Sequence, residues 1–221
     1  MFIQFQRRVT LIAILSCVTA ISNIAHAEEF PRVNIKTSVG DIVLELYPEK
    51  APKTVENFLR YVKKGHYNKT IFHRVIDNFM IQGGGLDVSM REKPTDKPVV
   101  SEAKIAFEHE LKNDIGTIAM ARTNDPNSAR AQFYINVNNN DFLNYQALPE
   151  GDPVQIMKNG EPISLPRARA LIFAAGYTPF GKVIEGWDVV EKIKTSATSE
   201  VSIYQNVPVK PVIILSIKLV K

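Results

Sequence analysis

The sequence predicts a mainly β chain with a closed architecture and two helices, and three observations carry that expectation. Residues Val33 to Leu46 alternate with period 2, short runs rich in aromatic and β-branched residues recur from residue 71 to the C-terminus, and clear helical spacing is confined to two segments. The pattern alone does not separate a barrel from a sandwich.

Val33, Ile35 and Thr37 point one way, and after Val39-Gly40-Asp41 the series Ile42, Leu44, Leu46 resumes, which reads as a hairpin with one buried face. Ala51-Pro52 then opens a helix whose Val55, Phe58, Leu59 and Val62 fall at i, i+3, i+4 and i+7, with Gly65 ending it. Strands are expected at 71–76 and 79–83, joined through Asp77-Asn78, the second ending at the triplet Gly83-Gly84-Gly85. Others are expected at 97–100, 115–121, 132–136 and 178–184, then a helix at about 187–194 and a last strand at 209–219. Between Asn144 and Gly176 lie Pro149, Gly151, Pro153, Gly160, Pro162 and Pro166, so the first half of this stretch reads as loop. Its second half, Arg167 to Ala175, is rich in helix formers and reads as a short helix.

The N-terminus reads as a secretory signal: Arg7-Arg8, the apolar run Val9 to Ala20, then Ala25-His26-Ala27, with cleavage leaving Glu28 first. Thr10, Ser16 and Thr19 break the run, which falls short of the roughly 20 apolar residues a membrane span needs, so no stable membrane insertion is expected after cleavage. Two minor readings share the segment. Arg7-Arg8 also fits a twin-arginine signal, and Ile14-Leu15-Ser16-Cys17 loosely matches a lipoprotein box that would anchor the chain at Cys17. Cys17 is the one cysteine, so residues 28–221 would carry none, which suits an oxidising periplasm.

Residues 28–221 read as a single domain. Arg7 and Arg8 are the leader's only charged residues, so the formal net charge falls from +4 to +2 on cleavage. The basic residues are scattered, with Lys63-Lys64, Arg167 and Arg169 reading as solvated surface charges, which argues against nucleic acid as a partner. Nothing demands a multimer, so a monomer is expected.

Arg74, set among Phe72, Phe79 and Met80, is a fixed cation beside apolar surface, an arrangement suited to chemistry driven by electrostatics and desolvation. His66, His73 and His109 match no metal-ligand spacing, and Gly83-Gly84-Gly85 does not follow the dinucleotide-binding rule, so neither metal nor cofactor is expected.

Phe72-His73-Arg74-Val75-Ile76, Phe79-Met80-Ile81-Gln82-Gly83-Gly84, Gly116 to Arg122, Gln132-Phe133-Tyr134-Ile135-Asn136 and Phe180-Gly181-Lys182-Val183 occur in order. Together they resemble the cyclophilins, peptidyl-prolyl cis-trans isomerases, and more closely the bacterial periplasmic branch, from about Val33 to Leu219 with one insertion. The resemblance implies an eight-stranded antiparallel barrel with a helix capping each open end, interrupted by an inserted loop at 145–176. It implies isomerisation of Xaa-Pro bonds in unfolded or partly folded polypeptides, with Arg74 as the catalytic residue. By the same resemblance Phe79, Met80, Tyr134 and Leu143 grip the proline ring, Gln82 and Gln132 orient the peptide, Ala121 and Arg122 form a wall, and His73 frames the site.

Three positions depart from well-known eukaryotic members. Tyr134 stands where phenylalanine is usual, so its hydroxyl must find a partner if buried. Phe142 replaces a tryptophan whose indole contacts the inhibitor cyclosporin, which implies weak inhibition. Tyr177 stands where histidine is common. The competing class is a catalytically weak chaperone or peptide-binding module, against which the retained Arg74, Phe79 and Gln82 argue.

Overall fold

A computed structural model describes residues 30–158 and 160–220. The expected signal, its cleavage site and Cys17 lie outside the described residues. Strands β1 (Arg32–Thr37) and β2 (Gly40–Leu46) form the expected hairpin, burying Val33, Ile35, Ile42, Leu44 and Leu46. With β3 (Thr70–Ile76), β4 (Met80–Asp87), β5 (Thr117–Met120), β6 (Phe133–Asn136), β9 (Pro179–Glu185) and β12 (Val212–Leu219) they close a barrel in the order β1-β12-β3-β4-β6-β5-β9-β2. Every neighbouring pair is antiparallel. Closure leaves no unpaired sheet edge, which settles barrel against sandwich.

Helix α1 (Pro52–Lys63) turns Val55, Phe58 and Tyr61 into the barrel core, where the Phe58 ring lies 5.3 Å from Tyr67, 5.9 Å from Phe133 and 5.1 Å from Phe180. Ala51 offers no side-chain cap, and the buried Glu102 supplies one from a distance in sequence. Its carboxylate accepts from Lys53 N at 3.1 Å, Thr54 N at 2.8 Å and Thr54 Oγ1 at 2.7 Å, satisfying N–H groups that a helix start otherwise leaves open. Helix α4 (Trp187–Lys194) adds Val189, Val190 and Ile193 to the same core beside the β1–β2 turn. Its N-cap Gly186 has φ +81°, and a Cβ there would fall 2.2 Å from Asp41 O, so the tight entry into α4 requires glycine.

Several expectations need correction. Residues 97–100 form no strand: Lys97 lies in a bend, Val99 N bonds Ala129 O at 2.8 Å, and Pro98, without an N–H, interrupts any ladder. The glycine triplet does not end its strand, since β4 runs through it to Asp87. A Cβ on Gly83 would meet Ile71 O at 2.9 Å and one on Gly85 would meet Gln132 Cγ at 2.4 Å, so the glycines admit close packing inside the strand.

The first half of the insertion is no loop but a hairpin, β7 (Val154–Lys158) with β8 (Glu161–Leu165), followed by the expected helix α3 (Arg167–Ala174). Its prolines mislead because in a two-stranded sheet both strands are edges, where Pro162 withholds no ladder bond the fold needs. Helix α2 (Ala103–Glu108) and a second hairpin, β10 (Thr198–Val201) with β11 (Tyr204–Pro208), were not anticipated. The two expected caps are α1 and α4, so α2 and α3 are additional. Among the described residues no helix is long and apolar enough to cross a membrane.

Candidate active site

Strand register assembles the site. Arg74 pairs with Gln82, Gln82 with Tyr134, and Tyr134 with Ala119, a row that crosses β3, β4, β6 and β5. Directly paired residues share a face, so the four side chains stand together. Met80, Ala119, Tyr134 and Leu143 are buried there, with Ile76, Phe79, Ala121 and Tyr177 packed against them, as an apolar cluster separate from the barrel core.

The half-buried Arg74 guanidinium lies 5.9 Å from the Phe79 ring centre and donates from Nη1 to Gln82 Oε1 at 3.4 Å. Gln82 Nε2 in turn donates to Gln132 Oε1 at 3.0 Å. None of the salt bridges among the described residues includes Arg74. Burial lowers its pKa from the ordinary value, Tyr177 opposing, yet a guanidinium stays protonated at any physiological pH. The site thus presents a charged fork with most of its donors uncommitted, held at the lip of an apolar pocket.

The Tyr134 hydroxyl finds the partner that burial demands, donating to Asn113 Oδ1 at 2.8 Å. Burial, reinforced by Tyr177 and opposed by Arg122, pushes this phenol well above its usual pKa, so it stays neutral. Asn113 is fully buried and its Nδ2 reaches Leu143 O at 3.2 Å, Asn144 Oδ1 at 3.1 Å and Tyr177 O at 3.3 Å. One side chain therefore ties the pocket floor to both of the segments that flank the insertion. Nearby, Asn136 Nδ2 donates to Thr117 Oγ1 at 2.9 Å and Asn140 Nδ2 to Phe79 O at 2.8 Å. Sequence reasoning missed the roles of these asparagines, because nothing local distinguishes a buried asparagine from the exposed kind that is the rule.

The chain matches the family model described as cyclophilin type peptidyl-prolyl cis-trans isomerase/CLD over residues 32–219. It belongs to the cyclophilins. It is 48% identical over 188 residues to a peptidyl-prolyl cis-trans isomerase of Streptomyces antibioticus, covering 85% of this chain and 97% of the relative. It is 45% identical over 185 residues to peptidyl-prolyl cis-trans isomerase B of Escherichia coli, covering 84% and 97%. A crystal structure of a Cryptosporidium parvum cyclophilin type peptidyl-prolyl cis-trans isomerase superposes with a TM-score of 0.60 at 26% identity, covering 87% of this chain and 98% of that one.

In this cyclophilin the other expected site residues take distinct places. Tyr177 meets Tyr134 edge to face at 5.9 Å, and the Arg122 guanidinium lies 4.3 Å from the Tyr177 ring centre. Arg122 is committed to the protein, donating to Gly176 O at 2.9 Å, Thr123 O at 2.9 Å and Ile172 O at 3.1 Å. Phe142, 44% exposed, stacks on Phe79 at 5.6 Å and extends the apolar lip. His73 is only 5% exposed, although it borders a cleft with Arg74, Gln82 and Gln132, and its buried Nδ1 has no hydrogen-bond partner. Burial holds its pKa down to about 4, the Ile71 carbonyl opposing, so the imidazole is neutral at pH 7.

Proposed function

We propose that Arg74 catalyses rotation of Xaa-Pro bonds by stabilising the twisted amide, while Phe79, Met80, Tyr134 and Leu143 hold the proline ring. Rotation is slow because amide resonance must be lost, a barrier of about 18–20 kcal/mol. In the twisted state the prolyl nitrogen becomes pyramidal and gains a lone pair, so a donor that meets it there lowers the barrier without any covalent step. The observation that carries this reading is the row Arg74, Gln82, Tyr134, which sets the uncommitted guanidinium beside the apolar cluster. On this reading Gln82 and Gln132 orient the peptide backbone, which their bond to each other supports, and Ala121 and Arg122 form the neighbouring wall.

The substrates on this reading are proline-containing segments of unfolded or partly folded proteins, bound by a monomer. The leader at residues 1–27 would deliver the enzyme to the periplasm, where slow proline isomerisation limits folding over tens of seconds. The test is the cis-to-trans rate of a short Xaa-Pro peptide with the purified protein and with Arg74→Ala. A loss of about 10²–10³-fold is expected; equal rates for the two proteins would refute the assignment. N-terminal sequencing of the protein from a periplasmic extract should give Glu28, and a lipid-modified Cys17 start would refute the soluble location.

A further inference from the structure

The insertion is a folded wall. Val154, Ile156 and Ala170 are buried together, with Leu148, Ile163 and Leu165 packed on them, so the hairpin β7–β8 and helix α3 share a small core of their own. Within the insertion Gln146 N donates to Ala174 O at 2.9 Å and Gln146 Nε2 to Met157 O at 3.2 Å. The unit is tied to the pocket wall through Arg122, which donates to Ile172 O at 3.1 Å and Gly176 O at 2.9 Å, while Tyr177 N to Leu143 O at 2.9 Å closes the base of the insertion.

Between the insertion and the proline pocket lies a cleft of about 280 Å³. Ile156, Met157, Ile172 and Phe173 line its outer side, and Phe142, Leu143 and Tyr177 line its inner side. Met157 is 52% exposed, and Ile172 and Phe173 remain more than a third exposed. The polar side chains on the lining are Arg122, Asn124, Gln146 and Tyr177, and the Arg122 charge is already engaged by backbone carbonyls.

We propose that this cleft is a second substrate subsite, which binds a large apolar side chain within three residues of the proline. The claim rests on the reading of the proline pocket given above. Continuity names the occupant: Leu143 and Tyr177 wall both pockets, so a peptide with its proline seated reaches the cleft within a residue or two, at about 3.3–3.6 Å per residue. Size agrees, because the cleft falls just below the roughly 300–1,000 Å³ of pockets that hold whole small molecules and suits one side chain. The anchored wall makes the subsite preformed, so little ordering opposes binding. A charged side chain would lose water there for little return, because the one charge on the lining, Arg122, is already engaged by backbone carbonyls.

The test is a peptide series around one Xaa-Pro bond, with each of the three positions on either side varied among Gly, Leu, Phe and Glu. Isomerisation is read as kcat/KM, and binding separately by fluorescence anisotropy. At one flanking position Leu or Phe should raise kcat/KM and tighten binding about tenfold over Gly, with no gain for Glu. Met157→Ser and, independently, Phe173→Ser should cut that ratio below threefold; two exposed positions guard against one variant misfolding. A flat preference at every position, or a preference that survives both variants, overturns the subsite. Apolar-selective binding without turnover would uphold the subsite and refute the isomerase mechanism, so the two claims fail separately.

Discussion

Asn113 offers the sharpest test of how the pocket floor is held. In Asn113→Ala the buried Tyr134 hydroxyl loses its acceptor, whereas Asn136 Nδ2 keeps Thr117 Oγ1 and Leu143 O keeps the Tyr177 N–H. The orphaned hydroxyl costs about 1–3 kcal/mol, and the missing amide leaves a void in a fully buried position, so a total loss of about 2–4 kcal/mol is expected. Tyr134→Phe removes the hydroxyl itself, and in that background Asn113→Ala should cost less by about 1–2 kcal/mol. The assay is urea unfolding of the four proteins of this cycle at pH 7, with midpoints and slopes both fitted. Strictly additive losses, within about 0.3 kcal/mol, would refute the claim that Asn113 and Tyr134 act as one unit.

Three further outcomes follow from other contacts. His73 has a folded pKa of about 4 against 6.5 when exposed, so the unfolded chain binds more protons between those values. Its contribution is fully present above pH 6.5 and lost as pH falls through 4, by about 3 kcal/mol in all. His66, also lowered by burial and by Lys93, acts in the same direction, so His73→Phe should flatten the slope of stability between pH 7 and 4.5 without abolishing it; an unchanged slope would contradict the assignment. Glu102→Ala removes the cap of α1 and should cost about 2–3 kcal/mol in urea unfolding, because the acceptor is charged and buried; a loss below 0.5 would show the cap idle. Phe142→Trp should strengthen cyclosporin inhibition about tenfold by supplying one indole hydrogen bond, and unaltered inhibition would refute the expected role of position 142.

The first strands and the two main helices were legible in the chain because their evidence is local, whereas the closed barrel came only from the family resemblance. Alternation at Val33 to Leu46 and helical spacing at Val55 to Val62 report burial directly. Arg74, Gln82 and Tyr134 were legible through their motifs, although the register that aligns them is a property of pairing and not of any one segment. The hairpin at 154–165 hid behind Pro153, Pro162 and Pro166, whose usual meaning fails on an isolated two-stranded sheet. Glu102 and Asn113 were invisible for a different reason. Each acts on partners more than twenty residues away, Thr54 and Tyr134 respectively, so no local pattern marks a polar side chain destined for burial.

Whether Arg74 acts on the twisted amide or on the bound ground state can be read by NMR exchange on a bound Xaa-Pro peptide. Cis-trans exchange on the enzyme and the peptide Kd are measured for the unmodified protein and for Arg74→Lys, which keeps the charge and loses the rigid fork. If Arg74 stabilises the twisted amide, exchange slows at least tenfold with Kd changed less than threefold. Exchange on the enzyme left unchanged while Kd rises tenfold would mean that Arg74 only binds the peptide.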